Sequence, residues 1–85
     1  ANRNTAFNGR SWLYFAQEQS GLIKIGRTRQ LGRRIRCLST SSPRPVKLLG
    51  AIPETWLSEA EAHLHFRRSR IHGEWFQPTD EMLAV

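Results

Sequence analysis

Residues 11–27 read SWLYFAQEQSGLIKIGR, and this stretch decides the fold. An aromatic-rich run from Ser11 to Gln17 is followed by the turn-forming Glu18-Gln19-Ser20-Gly21. The β-branched alternation of Leu22 to Arg27 then completes the pattern of a β-hairpin. Pairing across that turn with Tyr14 near Lys24 puts Leu13, Phe15, Ile23 and Ile25 on one face. Tyr14 and Lys24 then project together from the other, with Cβ atoms about 5 Å apart. A slip of one residue would divide the apolar set between faces, which disfavours it.

Downstream, Thr28 is an N-cap for RQLGRRIRCLST, in which Leu31, Ile35 and Leu38 fall on one helical stripe. At about 100° per residue, Arg34 borders that stripe while Arg33 and Arg36 point away from it. SSPRP (residues 41–45) is a loop, and Val46 to Ile52 is a third strand ended by Pro53. A second helix is expected over Thr55 to Arg70, capped by Thr55 or by the Ser58/Glu61 capping box. Two stripes compete on it, Trp56/Ala60/Leu64 and Glu59/Ala62/His63/Phe66. His72 and Gly73 turn the chain into a short extended piece, Glu74 to Phe76, and Pro78 and Thr79 open a brief helix through Leu83. The order β-β-α-β-α-α is that of a single small α+β domain over residues 11–85. Residues 1–10 lack any period and are expected to be a disordered or cloning-derived N-terminus.

Eighty-five residues hold one domain and leave no room for a second. The net charge of +6 is unevenly laid: residues 1–53 carry ten bases and one acid, residues 54–85 three bases and six acids. Between Glu18 and Glu54 lie Lys24, Arg27, Arg29, Arg33, Arg34, Arg36, Arg44 and Lys47, with no acid among them. Such a block points to a polyanion partner. Arginine outnumbers lysine eleven to two, which suits bidentate grip on phosphate oxygens. The single Cys37 excludes an internal disulfide and favours a reducing, cytoplasmic compartment. No apolar run reaches the roughly 20 residues a membrane span needs, and no signal peptide is visible.

A zinc site is disfavoured, because Cys37 with His63, His65 and His72 matches no ligand spacing. Cys37 reads as a small packing residue, and Trp56 and Trp75 as core. Tyr14, Lys24, Arg34 and Glu59 differ: each stands where local packing has no use for it.

Leu13-Tyr14-Phe15, Lys24-Ile25-Gly26, Arg34 ten residues after Lys24, and Glu59-x-x-x-His63-x-x-Phe66 ahead of Gly73-Glu74-Trp75-Phe76 together resemble the GIY-YIG nuclease superfamily. The closest likeness is to its compact phage and bacterial branch named for a meiotically up-regulated gene, with K-I-G in place of YIG and a terminal G-E-W-F. The resemblance spans residues 12–84. It implies a small three-stranded, mostly antiparallel sheet flanked by helices, a divalent metal on one helical carboxylate, and phosphodiester cleavage. By it, Tyr14 matches the first-motif tyrosine, Lys24 replaces the second, Arg34 matches the helix arginine and Glu59 the metal ligand. Glu61 is the rival, about 160° away around the helix.

The chemistry suits these residue types. Glu59 would hold Mg²⁺, with Mn²⁺ as a substitute, and Arg34 would clamp the scissile phosphate. Tyr14 would activate water, with Lys24 as the cation that favours its phenolate. Arg27, Arg29, Arg33, Arg36 and His63 are the expected nucleic-acid contacts, with DNA ahead of RNA. Specificity would come from an additional domain or partner. The alternative is a non-catalytic nucleic-acid-binding module that keeps the fold and the basic face.

Overall fold

The computed structural model describes residues 10–41 and 46–85. Residues 1–9 and most of the expected 41–45 loop lie outside the described residues. The domain is α+β, but its antiparallel sheet has five strands where three were expected. Those strands are β1 (Trp12–Glu18), β2 (Ile23–Thr28), β3 (Val46–Pro53), β4 (Arg70–His72) and β5 (Trp75–Phe76), in the order β3-β1-β2-β5-β4. The helices are α1 (Leu31–Ser41), α2 (Glu59–His65) and α3 (Asp80–Leu83). None of them is long and apolar enough to cross a membrane.

The hairpin forms as its alternation dictates, yet its register differs from the expected one. Tyr14 lies opposite Gly26, and Lys24 lies opposite Ala16. The shift is two residues, so the faces are preserved while the cross-strand partners change. Leu13, Phe15, Ile23 and Ile25 are fully or almost fully buried on one face. There they meet Ala62 and Phe66 of the α2 segment, Phe76 of β5 and Met82 of α3. A bulge between Phe15 and Ala16, where β3 carries an extra residue, lets Leu49 join Ile52 against this core.

The second helix is shorter than its expected Thr55–Arg70 span. Ser58 is the N-cap: its hydroxyl accepts from the Glu61 N–H at 3.1 Å, and the Glu61 carboxylate accepts from the Ser58 N–H at 2.9 Å. After Phe66 the chain tightens into a 3₁₀ turn, Arg67–Ser69, and leaves as β4. Gly73, at φ +55°, then reverses it into β5. Every residue of β4 is exposed, so no alternation announced it. The inward face of α2 is the Ala62/Phe66 stripe, which leaves Trp56 72% and Leu64 63% exposed. Trp56 is therefore not a core residue, and Cys37, also expected to pack inside, is exposed.

Candidate nucleic-acid-processing site

Tyr14 stands at the middle of β1 on the face opposite the apolar core, and is 1% exposed. Its ring lies close against the backbone of Gly26. A Cβ built at that glycine would come 2.7 Å from the phenol oxygen and 2.8 Å from Cζ, so only glycine fits opposite this tyrosine. Burial pushes the Tyr14 pKa above the usual 10. The Arg34 guanidinium pulls it back, and the carboxylates of Glu74 and then Glu59 push it further up. Groups from α1, the β4–β5 turn and α2 thus act on one phenol.

Arg34 belongs to both sides of this arrangement. It acts on Tyr14, and with Thr28, Arg29, Gln30, Arg33 and Cys37 it lines an open concavity of about 370 Å³ at the start of α1. Thr28 shapes that entry by accepting from the Gln30 N–H at 3.1 Å. Arg29, Arg33 and Arg36 are exposed along the same region.

Lys24 has a different neighbour from the one expected. Its ammonium pairs with Glu74 at 3.5 Å and lies 5.7 Å from the centre of the half-buried Trp75 ring. The Arg34 guanidinium lowers the Tyr14 pKa and so favours its phenolate.

Glu59 and Glu61 divide as helix geometry requires. Glu61 is exposed and held in the capping box, and its hydrogen bonds to the Ser58 N–H and hydroxyl keep its pKa below the ordinary value. Glu59 is half-buried and its field reaches Tyr14. The Glu59 carboxylate makes no hydrogen bond or ion pair among the described residues, so it remains available to a ligand. Its backbone N–H donates to Glu54 Oε2 at 2.9 Å, and Glu54 Oε1 accepts from Arg27 Nε at 3.0 Å. Glu54 therefore ties the start of α2 to β2. Arg27, expected to contact nucleic acid, is engaged in that bridge.

His63, expected to contact nucleic acid, is engaged with the sheet. Its Nε2–H donates to the Ile25 carbonyl at 2.9 Å, and its ring meets Phe76 edge-on at 5.1 Å. The Ile25 N–H is bonded to the Glu74 carbonyl, so the imidazole satisfies the remaining β2 group where β5 ends.

Glu54 and Glu74 were missed as members of the site. The signal for Glu54 was its place directly after a strand-ending proline and ahead of a helix; for Glu74 it was its position in the hairpin beside Trp75. Among the described residues no group of three or more His, Cys, Asp or Glu side chains could hold a metal ion. A cation here would have Glu59 as its protein anchor. Mg²⁺ accepts such a site, since it keeps several waters and binds through one or two carboxylates with substrate phosphates.

No curated protein and no solved structure matches the chain. A family model does match, over residues 11–84, and it describes a nuclease-type domain compatible with a nuclease or nucleic-acid-binding role. The chain belongs to the T5orf172 domain family.

Proposed function

We propose that this domain is a metal-dependent endonuclease or nickase of GIY-YIG type that hydrolyses nucleic-acid phosphodiester bonds. The observation that carries the reading is the buried Tyr14, held against Gly26 within the fields of Arg34, Glu74 and Glu59. A packing tyrosine has no need of two carboxylates and a guanidinium around it.

Arg34, at the border of the arginine concavity, grips the phosphate and stabilises the charge that grows on it during attack. Tyr14 orients the attacking water and accepts its proton, a task for which it must be the phenolate. Arg34 is the chain's own group favouring that form. Glu59 anchors a divalent cation, Mg²⁺ or Mn²⁺, which when bound supplies Lewis-acid stabilisation of the phosphate and of the leaving alkoxide. Lys24 holds Glu74 in place beside Trp75. DNA is the preferred substrate over RNA in this reading.

One observation favours the second reading, a nucleic-acid-binding module without catalysis. The raised pKa leaves Tyr14 a neutral phenol at neutral pH in the ligand-free protein. Supercoiled plasmid incubated with Mg²⁺ or Mn²⁺ separates the two. Nicking by the wild type that is abolished in Glu59→Ala and Tyr14→Phe, with gel-shift binding retained, is the expected result. A wild type that shifts DNA but never nicks it establishes the binding module instead.

A further inference from the structure

The loop between β3 and α2 holds an aromatic side chain for which the fold has no use. Trp56 is 72% exposed, whereas the backbone around it is fixed. Its own N–H donates to the Pro53 carbonyl at 2.9 Å, and the Glu54 N–H donates to the Ser11 carbonyl at 2.8 Å. The Glu54 carboxylate reaches both Arg27 and the Glu59 N–H. The indole is therefore presented on a braced turn, two residues after Glu54 and three before Glu59. Arg27 and Ser11, the anchors of this turn, join Thr28 and Arg29 around a concavity of about 230 Å³. It shares Thr28 and Arg29 with the Arg33/Arg34 concavity.

An exposed indole on a turn tied to Ser11 and Arg27, two residues of the concavity that Arg29 also lines, brings to one region the two demands of an unpaired nucleotide. The base needs a flat apolar surface and the phosphate needs cations. A base inside a duplex has both faces covered by its neighbours and offers no such surface. We infer that Trp56 is a stacking platform for an unpaired base, so that the domain engages single-stranded or locally opened nucleic acid beside the Arg27/Arg29 concavity. This deepens the proposed function and rests on its nucleic-acid reading.

The test is equilibrium binding in EDTA, where cleavage plays no part. Fluorescent single-stranded and duplex DNA oligonucleotides of equal length are titrated with the wild type, Trp56→Phe and Trp56→Ala. The expected result is a loss of about tenfold in single-strand affinity for Trp56→Ala, a smaller loss for Trp56→Phe, and duplex affinity unchanged. Quenching of indole fluorescence by the single strand should be weaker in Trp56→Phe than in the wild type. Equal losses on both DNAs, or none on either, overturn the stacking platform while leaving nucleic-acid binding intact. A wild type that binds neither DNA overturns the nucleic-acid reading itself, and the platform with it. Because the side chain is exposed, both variants should keep the wild-type circular dichroism, which separates lost stacking from lost structure.

Discussion

A phenol's pKa records its surroundings, and Tyr14 is the chain's single tyrosine, so the tyrosinate absorbance band reports on this site alone. Its midpoint should lie above 10, because burial and two carboxylates outweigh Arg34. Neutralising the guanidinium in Arg34→Gln should raise it further, and Glu74→Gln should lower it; movement in the opposite directions would contradict the described fields. The consequence for stability has a definite sign. The folded chain holds this proton more tightly than the unfolded chain. The contribution is therefore fully present below the unfolded value near 10 and is lost as pH rises through the folded value. Chemical denaturation across that range should show a steeper alkaline decline for the wild type than for Tyr14→Phe. Opposite the ring, Gly26→Ala places a methyl within 3 Å of the phenol and should cost about 1 to 3 kcal/mol by overpacking. Thermal unfolding measures it, and a neutral result would mean that the ring has another place to go. That Tyr14 and Lys24 share a face was legible in the sequence, since alternation has a period of two. Which residue lies opposite Tyr14 was not, because turn geometry sets the register in even steps that alternation cannot distinguish.

At the scale of elements, α2 shows how a short signal can settle a longer ambiguity. Thr55 and Ser58 both qualified as caps, and only Ser58 has Glu three residues on, which satisfies two end donors reciprocally. Ser58→Ala should destabilise the domain by about 1 kcal/mol. Because Glu61 has its pKa lowered by this box, part of the helix-capping advantage should vanish as pH falls below the ordinary carboxylate value and through the lowered one. Denaturation midpoints of the wild type and Glu61→Gln, which removes the charge, should therefore converge in acid; a constant gap would show that the box does not hold the Glu61 carboxylate. The helix phase was open in the sequence because both stripes carry apolar residues. The sheet decided it, since Ala62 and Phe66 fit against Phe15 and Phe76 while Trp56 and Leu64 remain outside. β4 was illegible for a simpler reason: three exposed residues carry no pattern, and their pairing with β5 depends on the turn at Gly73.

Over the whole molecule, the uneven charge seen along the sequence separates into two kinds of cation. Lys24 and Arg27 are paired with Glu74 and Glu54, whereas Arg29, Arg33 and Arg34 surround one open concavity. Affinity for nucleic acid should therefore fall steeply with salt. Arg33→Ala or Arg29→Ala should each reduce the slope of log K against log salt by about one, and Lys24→Ala by less. Equal slopes for all three would show that ion pairing does not sort them. That the basic half of the chain gathers cations with few acids near them in sequence was readable from composition alone. Its division into open and ion-paired cations was not, since the acids that claim Lys24 and Arg27 lie far along the chain.

The strand order β3-β1-β2-β5-β4 also carries a consequence in time. Glu54 meets Arg27 across 27 positions and His63 meets Ile25 across 38, while the strand that pairs with the outer edge of β2 is the short β5, with Glu74 just ahead of it. During synthesis, a chain that has emerged only as far as α2 has Tyr14, Arg34 and Glu59 in hand but leaves that edge of β2 unpaired and Glu74 absent. Pairings of such long sequence separation form late and together. The charged surroundings of the phenol should therefore be completed in one step, when the final hairpin closes and brings Glu74 to Tyr14.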